Sequence, residues 1–166
     1  MTLHGRLLVR RIVCWSLVVL WMGLLFWFSA QNSETSASLS GGVIKRVASV
    51  LTPDFARKSE PQQAAVVAQW QFFVRKLAHF SAYAVLGMLL IAALSAHIGS
   101  IWQQTLSAAL ISLLYAAGDE WHQLFVPGRG PRLRDVAIDV IGALVGIVLT
   151  CAISVLFRRG KRRKKQ

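Results

Sequence analysis

Apolar residues fall into long unbroken runs divided by short polar stretches, and no strand-like alternation is sustained anywhere along the chain. The first run, about 12–30, carries Trp15, Trp21 and Trp27 and has the ~20 residues needed to cross a hydrocarbon core. A cleaved leader is the competing reading, because basic residues precede the run and Ala30 follows it. The run is too long for a leader's apolar region, and Phe28 sits where a cleavage site needs a small side chain.

A polar, Ser-rich loop is expected from 31 to about 60, holding a short amphipathic stretch, Val43–Leu51, that suits either a loop helix or a membrane surface. Pro61 suits a first helical turn, and no breaker follows until the Gly87 region. A helix from Pro61 to Ile98 would be about 57 Å long, so its Gln-rich first part should stand outside a bilayer. The second span is then about 77–98, introduced by Arg75 and Lys76. A short turn near His97–Ser100 forces an antiparallel return through a third span, about 101–117. A loop from Gly118 to Arg134 leads to a fourth span, about 136–157, and a basic tail, 158–166. The fold class expected is an all-α membrane protein: one domain over 1–166, a bundle of about four transmembrane helices with a polar cluster at its outer loops.

Composition agrees. The chain of 166 residues is 55% hydrophobic and 16% charged, where soluble domains carry about a quarter charged residues. The net charge of +12 invites a nucleic-acid reading, but its distribution excludes one. Seven of the nineteen basic residues lie in the last nine positions, and Arg6, Arg10 and Arg11 precede the first run. Basic residues at the ends of spans are a positive-inside signature, which puts both termini in the cytoplasm of a multi-pass protein. The tail has two readings, a plain topological anchor and a grip on anionic phospholipid. Cys14 and Cys151 lie inside spans and lack metal spacing.

With that orientation, the polar residues nearest the bilayer collect at the outer face. Lys76, His79 and Tyr83 share one helix face at i, i+3, i+7. The third loop supplies Asp119, Glu120, His122, Gln123, Arg129 and Arg132, and the fourth span begins with Asp135 and Asp139 at i, i+4. Asp139 lies about one turn inside its span, where an acid is costly and needs a partner such as Lys76, Arg129 or Arg132. Three readings stay open: a pocket for an anionic ligand, acid–base chemistry by His79, His122, Glu120 and Asp139, or a salt-bridge network pinning loop to helix ends. His79, His122, Glu120 and Asp139 match no metal-ligand signature, so no metal or cofactor is expected. Gly142 and Gly146 form a G-x-x-x-G step for close helix packing, with the partner helix unassigned.

These residues resemble the VanZ-like family of bacterial membrane proteins. Phe28-Ser29-Ala30-Gln31 with Ser36 and Ser40 is similar to its F-S-x-Q segment, and Lys76-Leu77-Ala78-His79-Phe80 with Tyr83 and Gly87 to its K-x-x-H-F-x-x-Y-x-x-x-G. Asp119-Glu120, Gln123-Leu124-Phe125 and Arg129 are similar to its D-E-x-x-Q-x-F-x-x-x-R, and Asp135, Asp139, Gly142 and Gly146 to its D-x-x-x-N-x-x-G-x-x-x-G. Asp139 stands where the family commonly has Asn, which brings in a group that can titrate. The resemblance implies a cell-envelope role, after the low-level teicoplanin resistance that names the family. The first functional reading is therefore a non-enzymatic protein binding a lipid-linked or anionic ligand, with membrane lipids as its partners. The alternative is a small intramembrane hydrolase or transferase acting on a lipid or polyprenyl phosphate, although G-x-S-x-G and H-E-x-x-H are both absent. A transporter would need several copies of so small a bundle, and no inverted repeat is visible.

Overall fold

The computed structural model describes residues 2–30, 33–126 and 133–163. They form five α-helices and no strand: α1 (Leu3–Ser29), α2 (Ser33–Leu51), α3 (Glu60–Leu94), α4 (Ile101–Gln123) and α5 (Leu133–Arg163). A single 3-10 turn, Phe55–Arg57, separates α2 from α3.

Each boundary has a local cause. Thr2 Oγ1 accepts from Gly5 N–H at 3.3 Å, which satisfies one orphan donor at the start of α1. Gln62 Oε1 accepts from Ser59 N–H at 3.1 Å, and Pro61 occupies the first turn of α3. Two elements exceed their sequence-based limits. The Ser-rich segment is helical through α2, well beyond Val43–Leu51. Helix α4 runs on past Gly118 to Gln123, so Asp119 and Glu120 lie in a helix and not in a loop. The reason is that the inner face of α4 is small or polar throughout: Gln104, Ala108, Ser112, Ala116, Asp119, Glu120 and Gln123 are its buried residues, at helical spacing. Leu106, Leu110, Leu114 and Trp102 cover its outer face.

Among the described residues, three helices are long and apolar enough to cross a membrane: His4–Ser29, Glu60–Leu94 and Leu133–Phe157. Their outward faces carry Leu8, Ile12, Val19, Leu20, Leu77, Val148 and Leu149, all exposed. So much exposed apolar surface suits lipid rather than water. The core is correspondingly narrow, with Tyr83, Leu86, Leu90, Ala108, Ala143 and Ile147 near its axis.

Helices α3 and α5 form the main interface and run parallel. A Cβ on Gly142 would overlap the Phe80 carbonyl, one on Gly146 the Ala84 carbonyl, and one on Gly87 the Ala143 carbonyl. The G-x-x-x-G step of α5 is thus seated on α3, with glycines on both sides of the contact. Helix α1 runs antiparallel to α3. Trp21 Nε1 donates to the Ala82 carbonyl at 2.9 Å, and Trp15 Nε1 donates to His97 Nε2 at 3.1 Å. At the far end Arg10 donates to Ser95 Oγ and Arg11 to the Ala96 carbonyl, so two N-terminal cations close the C-terminal end of α3. The hinge between α3 and α4, 95–100, therefore lies at the same end of the bundle as the N-terminus.

Away from that end, the first turns of α3 are braced by α2. Ile44 and Ala48 are buried, and Trp70 Nε1 donates to Thr52 Oγ1 at 3.2 Å. Removing this tie by Trp70→Ala should free α2 while leaving the α3–α5 contact intact. Limited proteolysis checks it: cleavage near 51–59 should rise several-fold, with the rest of the chain protected.

Candidate functional site

The end of the bundle opposite the N-terminus gathers polar side chains from four helices. Because α3 and α5 are parallel, the i, i+3 step on α3 meets the i, i+4 step on α5. Lys76 pairs with Asp135, their side chains only 15% and 18% exposed. One turn deeper, His79 Nδ1 faces Asp139 Oδ1 at 3.5 Å, a separation long for a hydrogen bond. A further turn along, the same interface becomes the glycine contact at Gly142 and Gly146. For Lys76, one of the three partners expected for Asp139, the structure shows another assignment. Lys76 is taken by the nearer Asp135, and an imidazole stands beside Asp139.

From α4, Asp119 enters the same space. Its Oδ2 accepts from Ser29 Oγ at 2.8 Å and from Gln123 Nε2 at 3.3 Å, and Gln123 also donates to Ser29 Oγ at 2.8 Å. Ser29 closes α1 and is buried, a residue the site reading of the sequence passed over. Its only signal was its place in the Phe28-Ser29-Ala30-Gln31 segment, where one serine after a long apolar run looks like the start of a loop.

His79, Asp119 and Asp139 bring one ligand-type atom each within 4.8 Å of the other two. Tyr83 lies on the same α3 face, 1% exposed, with its hydroxyl buried as well. That hydroxyl, Asp119 Oδ1 and Asp139 Oδ1 are buried without a hydrogen-bond partner among the described residues. Orphaned buried polar atoms are rare in folded proteins, and three fall together here.

Other expected members are arranged differently. Glu120 is buried but outside the group of three. His122 packs against Phe26 with ring centroids 4.4 Å apart and planes inclined at 44°, and it is not in the group with His79. Arg129 and Arg132 lie outside the described residues. Beside the Lys76–Asp135 pair, a cleft of about 380 Å³ opens between α3 and α5, lined by Phe72, Leu133, Arg134 and Asp135. It offers a cation and apolar walls together.

A family model described as VanZ/LLP1 matches residues 14–157. No curated protein and no solved structure matches the chain.

Proposed function

The chain belongs to the VanZ/LLP1 family, and from that membership we propose a four-pass protein of the bacterial cytoplasmic membrane that binds a lipid-linked or anionic ligand at its outer face. Through that ligand it contributes to cell-envelope properties, low-level teicoplanin resistance among them. The observation carrying this reading is the convergence of Ser29, His79, Tyr83, Asp119 and Asp139 from four helices into one buried polar cluster with orphaned atoms. The cleft at Phe72, Leu133 and Arg134 lies next to it and suits an amphipathic headgroup, a charge for a phosphate and apolar surface for a chain.

Helix direction supports four crossings. Helices α3 and α5 are parallel, so if both cross, α4 must return between them; its 23 residues reach about 34 Å. The polar face of α4 is turned inward, which is why it lacks the overall apolarity of the other three. Arg10 and Arg11 at one end, with the basic tail leaving α5 at that end, favour both termini in the cytoplasm. Exposed Val43, Val50 and Leu51 on α2 favour a seat at the outer membrane surface. Cysteine labelling tests the arrangement: Gly99→Cys should react from the cytoplasm only, and Glu60→Cys from outside only.

The ligand is tested by mass spectrometry of lipids copurified with the detergent-solubilised chain. An anionic or polyprenyl-linked lipid is expected at near one per chain, falling at least about 5-fold in Arg134→Ala. Loss of glycopeptide resistance at unchanged membrane abundance would connect binding to phenotype.

A hydrolase or transferase is the second reading, favoured by the His79–Asp139 pair beside an orphaned carboxylate oxygen, an arrangement of base and orienting group. Turnover of a lipid phosphate by purified protein, abolished in His79→Ala, would replace the binding reading.

A further inference from the structure

Asp119 and Asp139 approach each other inside the polar end of the bundle, 5% and 3% exposed, and among the described residues the imidazole of His79 stands close to both. Two ionised carboxylates at such a depth repel one another and are poorly solvated. The hydrogen bonds present do not resolve this. Ser29 and Gln123 both donate to Asp119 Oδ2, leaving Asp119 Oδ1 with no donor among the described residues and Asp139 Oδ1 with only His79 Nδ1, at 3.5 Å. The Tyr83 hydroxyl has no hydrogen-bond partner among the described residues either. Among the described residues, no lysine or arginine pairs with either acid.

We infer that His79, Asp119 and Asp139 together bind one divalent transition-metal ion, zinc foremost and manganese next. The donor set selects the class. An imidazole nitrogen disfavours magnesium and calcium, which take oxygen ligands, while two carboxylates and no thiolate disfavour copper(I). Two carboxylates neutralise a dication, so the loaded centre carries no net charge into the bundle. Three protein ligands leave a fourth tetrahedral position open. In a tetrahedral zinc site ligand atoms stand about 3.4 Å apart. The three groups already lie within 4.8 Å of one another, and side-chain rotation of little more than 1 Å closes the difference. Ser29 and Gln123, holding one oxygen of Asp119, orient the other, as outer partners of metal ligands do. The inference uses the same cluster as the lipid-binding reading but does not depend on the lipid.

The test uses full-length protein in detergent, its affinity tag removed, stripped with a chelator and titrated with zinc, manganese or magnesium chloride. One equivalent of zinc is expected, with a rise of several degrees in Tm, and no response to magnesium. His79→Ala, Asp119→Asn and Asp139→Asn should each weaken zinc binding by more than the roughly 100-fold that loss of an outer partner costs; His97→Ala should not. Binding well below one equivalent in the stripped wild type overturns the inference, and that result needs no variant to fold. Zinc held equally by the three variants overturns it as well. Lipid analysis of the same samples keeps the proposals apart: metal without lipid removes only the ligand reading, and lipid without metal only this one.

Discussion

Gly146→Leu is expected to eliminate the folded protein from the membrane. A Cβ at this position would overlap the backbone carbonyl of Ala84, which cannot rotate away as a side-chain tip could. The parallel helices must separate or slide, and the contact between α3 and α5 is the largest in the bundle. Overpacking a fitted interior costs about 1–3 kcal/mol and more where the backbone itself must move. Gly146→Ala already requires that movement, so we expect about 2–3 kcal/mol for alanine and loss of assembly for leucine. Gly23 and Gly118 supply the control, because an added Cβ meets nothing within 4 Å at either. Alanine there should be neutral or stabilising by up to about 1 kcal/mol, since glycine is a poor helix residue. Thermal unfolding in detergent, read with fluorescence-detected size exclusion, checks all four variants. A Gly146→Ala protein as stable as wild type would mean that α5 does not lie on α3 at this register.

That register shows how far the sequence could be read. The small residues at Gly142 and Gly146 announced a close helix approach, but a spacing on one helix does not name its partner. The partner became identifiable only when Lys76, His79, Phe80 and Ala84 were found opposite Asp135, Asp139, Gly142 and Gly146 in the same order. The polar members of the site were legible because ionisable side chains next to apolar runs are costly and therefore conspicuous. Ser29 and Gln123 carry no charge and attract no such notice, although they hold Asp119 in place. The end of α4 was misread for a related reason. Gly118, Asp119 and Glu120 suggest a loop in water, whereas in a bundle interior the same residues continue a helix whose polar face is its buried one. The pairing of Lys76 with Asp135 rather than Asp139 depends on the relative height of two helices, which local spacing leaves open.

Lys76 offers the second large effect, and one that separates scaffold from binding site. Lys76→Met keeps the length and the apolar stem but leaves Asp135 facing an uncharged neighbour. Removing one partner of a buried ion pair costs about 3–5 kcal/mol, and the partial exposure of this pair near a membrane face lowers the expectation to about 2–3 kcal/mol. Asp135→Asn alone should cost less, because the amide keeps a polar oxygen at the start of α5 and gives up only the helix-dipole attraction of about 0.3–1 kcal/mol together with the pair. The double variant, with neither charge present, should recover most of the stability lost in Lys76→Met, giving a coupling of about 2 kcal/mol in a double-mutant cycle. Copurified lipid then decides the role. If Lys76 serves only to hold α3 and α5 together, lipid content should return with stability in the double variant. If its ammonium also contacts an anionic headgroup in the neighbouring cleft, stability returns and the lipid does not. Because the cleft contains Asp135 and adjoins Lys76, the second outcome is the one we expect.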